Sequence, residues 1–365
     1  MTPLDVRLFD ADGCPVACGT HALAALEGTI AAWPGTPQTF ILGDDNTLRD
    51  CLPELLAHVP ALRDAPTIAI PPGETSKRIA MCEAVWEHLA EEAAGRDAVL
   101  ICLGGGVVTD LGGFVAGAYK RGIRHIHVPT TLMGMADAAI GAKTAVDLAG
   151  VKNIVGLFHK PLGVFVHLPF LRTLGKRELL NGLAEMIKHG LVCDAAHWAA
   201  IVDAPLHDLE ALAPLVERSV AIKAAVVSGD PLEQGPRRLL NFGHTIGHAL
   251  EAQGWEGGRH APLHGEAVVA GMICAAWLST ELGQLPAGDR DRITSHLMGL
   301  FKHIPSDTMD DHRLLELMRN DKKNSGDGFR FTLLEAIGRG RIDMRVDADQ
   351  VRQALDHYRS ITAHV

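Results

Sequence analysis

In the first half of the chain the apolar residues cluster into short runs separated by stretches of helical spacing. Phe40 to Gly43, Thr67 to Ile70, Ala98 to Leu103, Ile126 to Val128 and Val164 to Val166 read as buried strands. Between Lys77 and Glu92, residues Ile79, Cys82, Val85, Trp86 and Leu89 fall on one helical face. Strands that alternate with helices imply a parallel sheet with crossover connections. From about Arg177 the strand signal fades. Leu179 to Val192, Ala211 to Val227, Leu239 to Ala252, Gly265 to Leu282 and Arg290 to Lys302 all carry a helical period. The pattern predicts an α/β N-terminal domain with a Rossmann-like parallel sheet, residues 1–175, followed by a mainly α-helical C-terminal domain, residues 176–365. A polar turn, 321–328, precedes a short apolar run at Phe331 to Leu334. No internal repeat is visible, and residues 1–30 carry no motif.

Composition narrows the class. With 365 residues, 47% hydrophobic and 21% charged, the chain is long enough for two cores. A net charge of -10 disfavours non-specific nucleic-acid binding, which requires Lys and Arg against phosphates. The seven cysteines form no C-x-x-C pair, so reduced thiols in a cytoplasmic protein are expected. The start, MTPLDVRLFD, lacks the apolar run of a signal peptide, and no segment reads as a membrane span. The acidic balance still leaves room for a locally basic pocket that takes an anionic small molecule.

The candidate chemistry concentrates in Leu239 to Glu266. His244 and His248 are four apart and share a helical face, and His264 follows after a Gly-rich loop, with Glu266 beyond it. Imidazoles presented from two elements suit a metal such as zinc. The H-E-x-x-H pattern of metalloproteases is absent, because Thr245 follows His244. Glu185 lies among apolar residues and needs a cation or a metal if it is buried. Its neighbour at i+3, Lys188, can supply the cation; with two histidines Glu185 would instead complete a three-ligand zinc site. His189 is an alternative ligand. The run Leu103 to Gly113 (LGGGVVTDLGG) follows a strand and fits either phosphate at a helix N-terminus or tight strand–helix packing. Lys143, Lys152, Asn153, Lys223, Arg237 and Lys322/Lys323 sit in apolar or Gly-rich surroundings and are candidates for an anion pocket.

Taken in order, these stretches resemble the 3-dehydroquinate synthase family of sugar-phosphate cyclases. The series runs through Pro72-Gly73-Glu74 to Lys77, Gly104 to Val107 with Asp110, Tyr119 to Gly122, and Val128 to Leu132. It continues through Asp137, Lys143-Thr144, Lys152-Asn153, Ala184-Glu185 with Lys188, the 239–250 stretch, Leu263 to Ala267 and Asp321 to Lys323. The resemblance implies zinc, with cobalt as a substitute, held by Glu185, His244 and His264, and it gives His248 a substrate contact. It implies NAD contacts at Asp44, Asn46, Glu74, Lys77, Gly105, Gly106, Asp110, Thr130, Thr131, Lys152, Thr173, Leu174 and Glu178. It implies a substrate pocket of Asp137, Lys143, Asn153, Lys188, Lys223, Arg237, Asn241, His248 and one of Lys322/Lys323. Arg121 matches an arginine that reaches the neighbouring subunit's phosphate site, which suggests a homodimer. The chain has Ala142 where the family usually has Gly, and Thr109 where it has Gly or Cys. Both are small, so a tighter fit near the nucleotide is expected.

The implied activity is conversion of 3-deoxy-D-arabino-heptulosonate 7-phosphate to 3-dehydroquinate and phosphate in the shikimate pathway. It proceeds by NAD-dependent transient oxidation, phosphate elimination, re-reduction and intramolecular aldol closure. The alternatives are a cyclase of the 2-deoxy-scyllo-inosose or 2-epi-5-epi-valiolone synthase type, then a zinc polyol dehydrogenase.

Overall fold

A computed structural model of the chain describes residues 6–149, 151–206, 208–256, 261–305, 308–319 and 328–363. Lys322, Lys323 and most of the polar turn at 321–328 lie outside them. In chain order the elements are β1 (Val6–Asp10), β2 (Pro15–Gly19), α1 (Ala22–Ala31), β3 (Thr39–Asp44), α2 (Asp45–Asp50), α3 (Leu52–His58), β4 (Thr67–Ile70), α4 (Ile79–Glu91), β5 (Val99–Gly104), α5 (Gly106–Ala118) and β6 (Arg124–Pro129). Then come β7 (Lys143–Leu148), β8 (Val151–Phe158), β9 (Val164–His167), α6 (Lys176–Cys193), α7 (Ala195–Asp203), α8 (Leu209–Gly229), α9 (His244–Glu256) and α10 (His264–Glu281). The last are α11 (Ala287–Leu300), α12 (Asp311–Arg319), β10 (Phe329–Ala336), β11 (Arg339–Val346) and α13 (Ala348–Thr362). Two compact units result: Met1–Leu179 with His207–Leu232, and Leu180–Leu206 with Glu233–Val365. Among the described residues no helix is long and apolar enough to cross a membrane.

The first unit is built on a seven-stranded sheet in the order β1-β2-β9-β6-β5-β3-β4. Every pairing is parallel except β1 with β2 at one edge. All five strands expected from the apolar runs are present. Strands β5 and β9 are buried along their whole length, which explains continuous apolar runs rather than alternation. Phe40, Leu42, Leu100 and Cys102 of the sheet close a core with Val108, Leu111 and Val115 of α5. Residues 1–30, silent as motifs, supply β1, β2 and α1. A second feature not expected from the pattern is the antiparallel hairpin β7–β8, which packs on α5. Helix α8 returns late in the sequence to lie against β1 and β2.

The second unit is mainly helical. Helix α10 is buried along most of its length and packs against α9, α11 and α13. The helix expected over Leu239–Ala252 is instead a short 3-10 turn, Pro236–Asn241, followed by α9 from His244. Gly243 between them has φ +78, which an L side chain rarely adopts, and this resets the chain direction. The apolar run at Phe331 lies in a hairpin, β10–β11, whose Leu334 N–H donates to Ser279 Oγ on α10 at 3.0 Å.

Candidate active site

In the first unit the connection after β3 leads outward to β4, whereas the one after β5 leads to β6 on the opposite side. The carboxyl ends of β3 and β5 therefore flank a topological switch point, where open parallel sheets bind ligands. Asp44 ends β3 and caps α2, its Oδ1 accepting from Asn46 N and Thr47 N, each at 2.9 Å. Asn46 is exposed in the first turn of α2. At the end of β5, a Cβ on Gly104 would meet Val108 at 2.5 Å, and one on Gly105 would meet Thr131 at 2.8 Å. Packing thus demands these two glycines. Gly105 is the N-cap of α5 and offers no side chain, so the helix's first N–H groups are not covered by a cap. Thr109 turns its hydroxyl back onto Gly106 O at 3.1 Å and Gly105 O at 3.3 Å, within the helix's first turn. Thr130 is buried after β6 and its Oγ1 lacks a hydrogen-bond partner, while Thr131 Oγ1 accepts from Gly134 N at 3.0 Å.

A partly buried ionic network around the buried Lys77 joins this region to the hairpin. Lys77 Nζ donates to Asp110 Oδ2 and Asn153 Oδ1, each at 2.6 Å, and Lys152 Nζ lies 3.1 Å from Glu74 Oε1. Burial alone would lower the Lys77 pKa, but Asp110 and Glu74 outweigh it and the net shift is upward. Asp110 is raised by burial, against the pull of Lys77. Asn153 holds φ +53, fixed by its N–H to Asp147 Oδ1 at 2.8 Å. Five residues expected at the nucleotide or substrate, Glu74, Lys77, Asp110, Lys152 and Asn153, are therefore brought together. Asp137 accepts from Lys223 Nζ of α8 at 2.6 Å, a second pairing between expected residues. Lys143 opens β7 as an exposed residue, directly after Ala142 at φ +59. Arg121 is exposed in a short turn at φ +67. Thr173, Leu174 and Glu178 lie at the end of the 168–173 turn and the start of α6, where Thr173 Oγ1 donates to Phe170 O at 2.8 Å.

In the second unit close backbone approach builds the metal-ligand group. A Cβ on Gly271 would stand 1.9 Å from Gly243 O, so α9 and α10 come together as only glycine permits. Gly265 donates its N–H to Asn181 Oδ1 at 2.6 Å, which docks the start of α10 on α6 one turn before Glu185. Glu185, 1% exposed, then directs Oε1 to within 3.4 Å of His244 Nε2 and 3.5 Å of His264 Nε2. Its Oε2 takes the Lys188 ammonium, also 1% exposed. His244 Nδ1 lies 3.0 Å from Phe242 O. A carbonyl only accepts, so Nδ1 carries the proton and Nε2 presents a lone pair. His264 Nδ1 lies 3.2 Å from Glu251 Oε2, a carboxylate that only accepts, so Nδ1 carries a proton here too.

Ligand atoms of His244, His248 and His264 also lie within 4.8 Å of one another. Between these two trios the carboxylate favours the one that includes Glu185. Glu185 Oε1 is buried without a hydrogen-bond donor, a costly state unless a cation sits against it. Glu185, His244 and His264 therefore fit a divalent ion with nitrogen and oxygen preference, and His248, exposed on α9, is left for another role. Burial would raise Glu185, but Lys188 and His244 outweigh it and hold it well below the usual carboxylate range. Burial and Lys188 lower His244. Burial also opposes protonation of His264, yet Glu251 and Glu185 push its pKa up to about 10. A proton on His264 is what a cation would replace.

On the 3-10 turn before α9, Arg237 is 2% exposed, and Asn241 Nδ2 donates to Glu233 Oε1 at 2.9 Å. Two residues of consequence escaped the motif reading. Asp147 fixes Asn153, and nothing in its surroundings marks it. Glu251 was within reach, because it stands seven residues after His244 and shares its helical face.

An open parallel sheet with a switch-point site, and a helical unit with a buried Glu-His-His group, define the class: a two-unit α/β-plus-helical protein with a candidate metal centre. The chain belongs to the 3-dehydroquinate synthase family. The family's N-terminal model matches residues 67–181 and its C-terminal model residues 182–324. A 3-dehydroquinate synthase from Parabacteroides distasonis is 42% identical over 322 residues, 88% of this chain and 91% of that protein. Among solved structures, a 2-deoxy-scyllo-inosose synthase complexed with carbaglucose-6-phosphate, NAD+ and Co2+ matches with TM-score 0.83 and 24% identity, covering 96% of this chain and 99% of that one. The 2-epi-5-epi-valiolone synthase from Streptomyces hygroscopicus subsp. jinggangensis, with NAD+ and Zn2+ bound, matches with TM-score 0.79 and 26% identity, covering 88% and 91%.

Proposed function

We propose that the chain converts 3-deoxy-D-arabino-heptulosonate 7-phosphate to 3-dehydroquinate and phosphate as a cytoplasmic enzyme of aromatic amino-acid biosynthesis. The route is transient oxidation, phosphate elimination, re-reduction and intramolecular aldol closure. The observation that carries this reading is the Glu185–His244–His264 group, with its orphaned carboxylate oxygen, in a chain 42% identical to a 3-dehydroquinate synthase. When bound, NAD+ supplies a reversible hydride acceptor, and zinc or cobalt polarises a substrate oxygen.

In the first unit, Gly105 and Gly106 offer N–H groups at the start of α5 to the nucleotide phosphates. Asp44 and Asn46 at the end of β3 take nucleotide hydroxyls, and Glu74, Lys77, Asp110, Thr130, Thr131, Lys152, Thr173, Leu174 and Glu178 complete the nucleotide set. Asp137, Lys143, Asn153 and Lys223 serve the substrate, the ammonium groups binding its anionic ends. In the second unit, the Arg237 guanidinium grips a carboxylate or phosphate as a planar fork. Lys188 and Asn241 orient the substrate, and the exposed His248 imidazole moves a proton at a substrate oxygen. Arg121 serves a partner subunit's phosphate site, in a homodimer.

The test is product formation from three sugar phosphates, with zinc and NAD+ added. 3-Dehydroquinate and phosphate from the heptulosonate phosphate support the reading. Turnover only of sedoheptulose 7-phosphate or glucose 6-phosphate would move the substrate to one without a carboxylate.

A further inference from the structure

We propose that Glu251 is a positioning residue of the metal centre, holding the His264 ring so that Nε2 faces Glu185 and a bound divalent ion. This rests on the reading that Glu185, His244 and His264 hold that ion. The two histidines are anchored differently. His244 donates from Nδ1 to a main-chain carbonyl two residues away, Phe242 O at 3.0 Å, so its orientation is fixed by local backbone. His264 is the first residue of α10, and its side chain is more exposed, 28% against 11%. Its Nδ1 bond runs to a side chain of another helix, Glu251 Oε2 at 3.2 Å. Glu251 itself is only 2% exposed. Burying a carboxylate is costly, and this one stands two turns after His244 on the same face of α9. A carboxylate behind a ligand imidazole fixes the tautomer, aims the ring and makes the nitrogen a stronger donor.

The test compares Glu251→Ala and Glu251→Gln with the unmodified chain, each stripped of metal. Zinc affinity is read by competition with a chromophoric chelator, and folding by the thermal transition of the metal-free protein. Glu251→Ala should weaken zinc binding by about 10- to 100-fold. Glu251→Gln has the same shape and keeps an acceptor for Nδ1–H, so it should recover part of that loss. The visible spectrum of the Co2+-loaded chain should change in Glu251→Ala. In a His264→Asn background, Glu251→Ala should cost no further zinc affinity, because the residue through which it acts is gone. Unchanged zinc affinity in Glu251→Ala would overturn the inference, as would an equal loss in the His264→Asn background. Failure of the unmodified chain to bind zinc would overturn the reading beneath it, and the inference with it.

Discussion

Ala142 adopts φ +59, a left-handed conformation that costs an L residue with a Cβ roughly 1–2 kcal/mol. Its carbonyl accepts from His159 N at 2.8 Å, so the conformation is held by the strand end that Lys143 begins. Glycine relieves the strain but loses more entropy on folding, by roughly 0.5–1 kcal/mol. Ala142→Gly should therefore stabilise the chain by up to about 1 kcal/mol in denaturant unfolding. A loss of stability would show that the methyl packs productively. At this scale the sequence was informative where one residue type has few uses. A carboxylate among apolar neighbours, and histidines at helical spacing, pointed to Glu185 and His244 before any geometry. The choice between the two histidine-containing trios was not legible from spacing and rested on the family resemblance, because it depends on which buried oxygen lacks a donor. Lys77 with Asp110 and Asn153 was equally hidden from spacing, since those partners lie 33 and 76 residues away.

Between elements, the contact of α5 with the β7–β8 hairpin is tight enough to test. A Cβ on Gly113 would stand 2.4 Å from Thr144 Cγ2. Gly113→Ala gains roughly 1 kcal/mol of helix propensity, yet overpacking of this kind costs roughly 1–3 kcal/mol. The single variant should be destabilised in urea, and adding Thr144→Ser, which removes the methyl, should restore it. A second consequence belongs to β6. Burial holds the His127 imidazole neutral and pushes its pKa from 6.5 down to about 4, with Nδ1 3.1 Å from Ala139 O. Between those values the unfolded chain binds a proton that the folded chain excludes, so stability falls as the solution is acidified. The loss from this one group reaches roughly 3 kcal/mol at pH 4. His127→Asn can keep a donor to Ala139 O, and its unfolding free energy should fall less between pH 7 and pH 4. An unchanged slope would assign the acid loss to other groups. The parallel strands were legible because full burial leaves continuous apolar runs. The hairpin was not, because Leu148, Val151, Leu157 and Phe158 are exposed and its alternation is broken by Gly156 and Asn153. The return of α8 to β1 and β2 is a long-range packing choice that no local period encodes.

For the whole molecule, the homodimer proposed above would give the exposed apolar hairpin a face to cover. Phe158, 53% exposed, is the largest of these side chains. Phe158→Asp should shift the mass measured by light scattering from dimer toward monomer; a monomeric unmodified chain would remove the dimer from the account. The central claim is that oxidation and reduction cancel within each turnover at a metal-dependent site. The most direct measurement follows phosphate release from 3-deoxy-D-arabino-heptulosonate 7-phosphate and NADH absorbance in one cuvette, with and without a chelator. Phosphate released without accumulating NADH, and abolished by the chelator, is the predicted result. NADH rising in step with turnover would contradict the cyclase mechanism and describe a polyol dehydrogenase.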